Sequence, residues 1–159
     1  MASIIIGDTV VAYKREQRHW TAVNGTLNDS FPAGPDGKQE ALLKAIAHEN
    51  AELYQFVVRG ISKNPEWWKS WTKAATAVIN DMVHPPRKPG FDQVAWIQSD
   101  SRDECDYDLH LYNQFIRCEC EGYQFKRAPQ SAKGQICCWH VLAALLAMKT
   151  EAIPQVALY

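Results

Sequence analysis

Four of the chain's five cysteines fall, with one histidine, between residues 118 and 140, reading Cys118-Glu-Cys120, a polar spacer, then Cys137-Cys138-Trp-His140. No other feature constrains the fold as tightly, because soft ligands at such spacings can close a loop around one ion. Zinc takes four such groups at tetrahedral corners, and three thiolates with one imidazole are a common structural set. An odd number of clustered cysteines also fits metal better than a disulfide framework. The competing readings are small buried hydrophobes, or an iron–sulfur or redox role. Chance rarely places so many ligand types in so short a window, so metal is preferred.

The spacing carries geometry. On a strand, residues two apart point to the same face, so Cys118 and Cys120 can both reach one ion. The segment from Glu121 to Cys137 is long enough to bring a helix start back over that hairpin, with Lys133-Gly134 as a turn before the second pair. The second pair is harder to place. Residues two apart in a regular helix lie about 200° apart around its axis. Cys138 and His140 therefore converge only if Cys138 precedes, or is, the first helical residue. Cys137 and His140, three apart, would share a helix face without that condition. Geometry leaves the choice between the two cysteines open.

The stretch resembles the SWIM-type zinc finger, whose pattern is Cys-x-Cys, a variable spacer, then Cys-x-His. Tyr123 falls where that family has an aromatic residue, and Tyr107-x-Leu109-x-Leu111 matches the strand leading into the first ligand pair. Ala143 completes the Cys-x-His-x-x-Ala form of SWIM proteins that assist homologous recombination. Departures are Glu121 where Pro is common, Trp139 where a small or basic residue is common, and the extra thiol of Cys137. The resemblance covers residues 91–150. It implies a structural zinc on Cys118, Cys120, Cys138 and His140, and so favours Cys138 over its neighbour. It also implies a binding role, to DNA or to protein, as in transposases, chromatin-remodelling ATPases, ubiquitin-ligase-type proteins and recombination mediators.

The remaining pattern predicts an α+β fold: an N-terminal β-hairpin and two helices, followed by a SWIM-like ββα zinc element. Thr9–Tyr13 and His19–Val23 read as strands, with Lys14–Arg18 as the tip and Asn24-Gly25 as a turn. Asn28 to Gly37 reads as a loop. A first helix begins near Asp36 and stops at Gly60, with a bend or break at His48-Glu49-Asn50. A second is capped by Asn64, has Pro65 at its first position and closes at Pro85-Pro86. Residues 85–90 divide an N-terminal region, 1–90, from the zinc module, 91–159. In that module Val94–Gln98 is a strand, Tyr107–Leu111 and Phe115–Cys120 form a hairpin around Asn113-Gln114, and Cys138–Met148 is an apolar helix.

Charge bounds the function. The formal net charge is −1, so strong sequence-blind attraction to nucleic acid is absent, and any DNA contact must rest on a local patch. Lys126, Arg127 and Lys133 in the spacer between the ligand pairs are one candidate. The segment from Arg59 to Lys88 is another, with Trp67, Trp68 and Trp71 among its cations. Its tryptophans follow the period of a core stripe, which favours packing over base stacking and leaves Trp68 as the least core-like. The acidic run from Asp100 to Asp108 reads as a solvated loop. A DNA-associated accessory factor is the first expectation, and a protein–protein adaptor in a larger complex the second. No catalytic motif is present and a closed Cys₃His set leaves zinc no open position, so neither an enzyme nor a small-molecule substrate is expected. Ile4–Ile6 gives way at once to Gly7-Asp8, and no apolar run is long enough to span a membrane. A cytoplasmic setting with reduced thiols is expected, or a nuclear one in a eukaryotic cell.

Overall fold

The β-branched runs that open the chain pair into a sheet larger than the expected hairpin. The computed structural model describes residues 3–87, 92–98, 106–112 and 115–155, and the fold is α+β. The chain forms two units, Met1–Asn80 and Asp81–Tyr159. The turn at Asn113-Gln114, most of the acidic run and Lys88–Gly90 lie outside the described residues.

In the first unit, β1 (Ile4–Ile6), β2 (Thr9–Lys14), β3 (His19–Val23) and β4 (Asn28–Pro32) form an antiparallel meander in that order. The Asn24-Gly25 turn is present, and Asn24 Oδ1 accepts hydrogen bonds from Thr26 N and Leu27 N, each at 2.8 Å. The chain does not stay a loop after it. Asn28–Pro32 pairs with β3 although its Asn, Asp, Ser and Pro are poor strand formers, because an edge strand needs partners on one side only.

Helix α1 (Pro35–Glu49) places Pro35 in its first turn with Asp36 beside it, which suits the positive end of the helix. The break expected at Asn50 is there. Asn50 leaves helical geometry, and its Oδ1 accepts from Leu53 N at 3.0 Å, capping α2 (Ala51–Lys63). Gly60 is not a stop, and α2 runs through it. A Cβ at Gly60 would overlap the indole of Trp71 in α3 (Trp68–Ile79), so the glycine serves close helix packing. Three helices therefore stand where two were expected. Asn64 caps nothing with its side chain, and Pro65–Trp67 is a short 3-10 turn leading into α3. That helix ends at Asn80, well before Pro85, because Asp81 takes the left-handed conformation (φ 57°). Ile6, Val11 and Ala22 on the sheet and Ala45, Ile46, Leu53, Val57 and Ala74 on the helices make the core, all fully buried.

In the second unit, β5 (Val83–His84), β6 (Gln93–Gln98), β7 (Asp106–Tyr112) and β8 (Phe115–Cys118) form another antiparallel sheet in chain order. A single turn, α4 (Glu121–Gln124), follows, and then α5 (Trp139–Lys149). Eight of the eleven α5 residues are buried, so this helix is apolar all round and forms the unit's centre. It packs on β5, β6 and β8. Among the described residues no helix is long and apolar enough to cross a membrane.

Gly60→Ala gives a clear test of this packing. Helix propensity alone would favour alanine by up to ~1 kcal/mol. Overlap with Trp71 should reverse that sign and lower stability by about 1–3 kcal/mol in urea unfolding. A stabilised variant would contradict the α2–α3 contact.

Candidate metal centre

Three separate ends of secondary structure deliver the ligand set. Cys118 closes β8, paired in register with Leu109 of β7. Cys120 lies beyond the strand, as the residue capping α4, where its Sγ accepts a hydrogen bond from Tyr123 N at 3.4 Å. The same-face argument for a Cys-x-Cys strand therefore does not apply; the backbone turn after β8 brings the two sulfurs together instead. Cys138 sits in extended geometry (φ −64°, ψ 160°) immediately before Trp139 opens α5. That is the condition under which Cys138 and His140 can converge. The sulfurs of Cys118, Cys120 and Cys138 and a ring nitrogen of His140 all lie within 4.8 Å of one another. A tetrahedral zinc with sulfurs at ~2.3 Å spaces its ligand atoms about 3.8 Å apart, which this cluster accommodates.

Cys137 points elsewhere. It is buried, its thiol donates to Gln135 O at 3.5 Å, and burial raises its pKa, which keeps it a neutral thiol. The spacer is also more ordered than a loop. Gln130 bridges Ile136, Gly134 takes a left-handed turn (φ 85°), and Gln135 Nε2 donates to Ile116 O on β8 at 3.0 Å. These bonds hold the approach to Cys138 against the hairpin.

The chemistry of the pocket asks for a cation. All four ligand residues are buried, at 4–6% exposure. Among the described residues neither ring nitrogen of His140 has a hydrogen-bond partner outside the thiol cluster, and the ring packs beside Trp139 (centroids 3.9 Å apart) and Tyr107 (4.8 Å). A buried polar group left in this way is costly, and a metal bond removes the cost. The thiols share one hydrogen-bonded cluster. Cys118 donates to Cys120 and then to Cys138, and with burial this drives its pKa far upward. Cys120, accepting from Cys118 first and then Cys138, is driven far down. Cys138 is lowered by the bond from Cys118, yet its own bond to Cys120 and burial leave it at about 12. Three crowded sulfurs that must share protons are the metal-free state of this cluster. Zinc would bind Cys118, Cys120, Cys138 and His140 and supply structural cross-linking there.

Residues 110–149 match the SWIM zinc finger family. No curated protein and no solved structure matches the chain. The SWIM match begins at His110 on β7 and ends at Lys149, the last residue of α5, so it spans the hairpin, the spacer and the helix. It covers the whole zinc site and about a quarter of the chain.

The other predicted residues fall on the surface. Lys126, Arg127 and Lys133 are exposed on the SWIM spacer, and Trp68 is half-buried at the start of α3 in the first unit. Three residues were missed. Phe125 is 63% exposed with the Arg127 guanidinium over its ring at 5.4 Å, and Tyr112 is 57% exposed with Arg117 over its ring at 5.2 Å. The signal for Phe125 was its place beside Lys126 and Arg127. Asp108, His110 and Glu119 also come together, within 4.8 Å. Asp108 accepts from Gln93 at 2.9 Å and His110 pairs with Asp92 at 3.3 Å, so two of the three are already partnered.

Two measurements check the centre. Cys137→Ala should retain one zinc per chain by elemental analysis, whereas Cys138→Ala should lose it; the reverse pattern would exchange their roles. Because zinc takes thiolates and burial favours thiols, binding should release protons from the cluster. Affinity should therefore rise with pH and fall by about tenfold or more for each unit of acidification near neutrality, read by competition with a chromophoric chelator. A flat profile would contradict the thiol cluster.

Proposed function

We propose that the chain is a DNA-associated accessory factor in a genome transaction such as recombination or transposition, with the SWIM element as a zinc-braced binding surface. The observation that carries this reading is the aromatic and cationic surface on the spacer between the ligand pairs. Phe125, Lys126 and Arg127 follow α4, and Lys126 takes the left-handed conformation (φ 53°) that ends it, with Arg127 N and Ala128 N donating back to Gly122 O. Lys126, Tyr112 and Arg117 line one groove of about 420 Å³. Exposed rings stack bases, and guanidinium and ammonium groups meet phosphates. Lys133 adds a cation at the turn before Gly134. The zinc is structural in this reading, since a Cys₃His set leaves no position for a reacting water.

A second reading, a protein–protein adaptor, draws on the same groove. Asp92 and Glu119 line it beside the cations, and exposed aromatics anchor protein interfaces as well as bases. The net charge of −1 also suits a protein partner.

Salt separates the two. Labelled single- and double-stranded DNA titrated with the zinc-loaded chain should bind at low ionic strength and dissociate as salt rises. Replacing Lys126, Arg127 and Lys133 together with alanine should weaken binding and flatten the plot of log affinity against log salt by about 2–3 units. If no salt-sensitive binding occurs even at low ionic strength, the adaptor reading replaces the DNA one.

A further inference from the structure

The sheet face that α1 covers runs on into an aromatic wall. Val11 and Ala22 are cross-strand partners buried under α1, and the next pair on that face is Tyr13 and Trp20. Their ring centroids are 5.3 Å apart, tilted by 49°. Across from them stands Trp68, half-buried, while its neighbour Trp67 takes the core position at 9% exposure. Lys38 of α1 lies over the Trp20 ring at 5.5 Å, and Lys69 over the Trp68 ring at 5.7 Å. These five side chains, with Gly34 and Pro35, line an open groove of about 260 Å³ within the first unit.

Charge decides what such a groove takes. Aromatic walls alone would suit a sugar or a proline-rich peptide. Here each wall carries a lysine, and the turn beyond Tyr13 and Trp20 adds exposed Arg15 and Arg18 beside Glu16. The residues lining the groove include two cations and no acid, in a chain whose overall charge is −1. A ligand that offers flat rings and repeated negative charge fits this surface, and a duplex hides the faces of its bases while a single strand presents them.

We infer that this groove of the first unit binds single-stranded nucleic acid, with a base stacked on its aromatic walls and the adjoining phosphates on Lys38 and Lys69. The inference rests on the nucleic-acid reading above for its ligand class, and on none of the zinc ligands for its site.

The test titrates fluorescently labelled oligothymidylate, and a duplex of equal length, with the zinc-loaded full chain. Single strands should bind more tightly than the duplex. Trp68→Ala should weaken single-strand binding by about tenfold or more, with Trp68→Phe restoring most of it. Because Trp68→Ala removes a half-buried ring, the Lys38→Ala/Lys69→Ala double variant, whose changes are on the surface, serves as the second arm. It should weaken binding several-fold with its melting temperature unchanged. If both groove variants bind like the parent while the Lys126, Arg127 and Lys133 replacement weakens binding, this inference falls and the proposed function stands. If the groove variants alone weaken binding, the inference stands and the spacer loses its role. Failure of the parent chain to bind any oligonucleotide overturns both.

Discussion

Three buried thiols and a buried imidazole meeting at one point make the constraint on which the second unit depends. Without a cation the sulfurs must share protons, which raises the pKa of Cys118 and Cys138 and lowers that of Cys120, while neither nitrogen of His140 has a partner outside the cluster among the described residues. A single zinc ion resolves all of these at once. It also joins the end of β8, the cap of α4 and the start of α5, which no continuous run of backbone hydrogen bonds connects. Apparent binding energies for structural zinc are about 10–16 kcal/mol in small finger domains. A bond set of that size is large beside the net stability of an ordinary domain.

The zinc centre was legible in the sequence because ligand chemistry is written in residue types and spacing. The order of sheet and helix in the second unit was legible for a related reason: alternating and continuous apolar runs marked β6, β7 and α5. What the sequence left open was which of two adjacent cysteines turns inward. That depends on where α5 begins, and only the extended backbone at Cys138 decides it. The Cys-x-Cys pair was placed on one strand by its period of two, but the backbone turns after Cys118, a local event that pattern does not encode.

In the first unit the misses share a cause. β4 is built from turn-forming residues, and its pairing comes from the neighbour it lies against rather than from its own propensity. Gly60 looked like a helix end because glycine often is one, yet here it admits the Trp71 ring. α3 stopped at Asn80, although the pattern carried it to Pro85-Pro86, because Asp81 turns left-handed and Val83 and His84 then pair with Ile97 and Trp96. In each case a tertiary contact overrode a local signal. The same contacts divided the tryptophan pair, burying Trp67 and leaving Trp68 on a groove.

A near-neutral chain can still meet a polyanion if its charge is arranged locally. Both candidate surfaces follow that rule, pairing rings with guanidinium or ammonium groups at 5–6 Å. The spacer surface depends on the four side chains of the second unit holding one ion. X-ray absorption at the zinc edge tests that most directly. One zinc per chain, with three sulfurs near 2.3 Å and one nitrogen at about 2.0–2.1 Å, is the expected coordination. A first shell of oxygens, or fewer than three sulfurs, would contradict it.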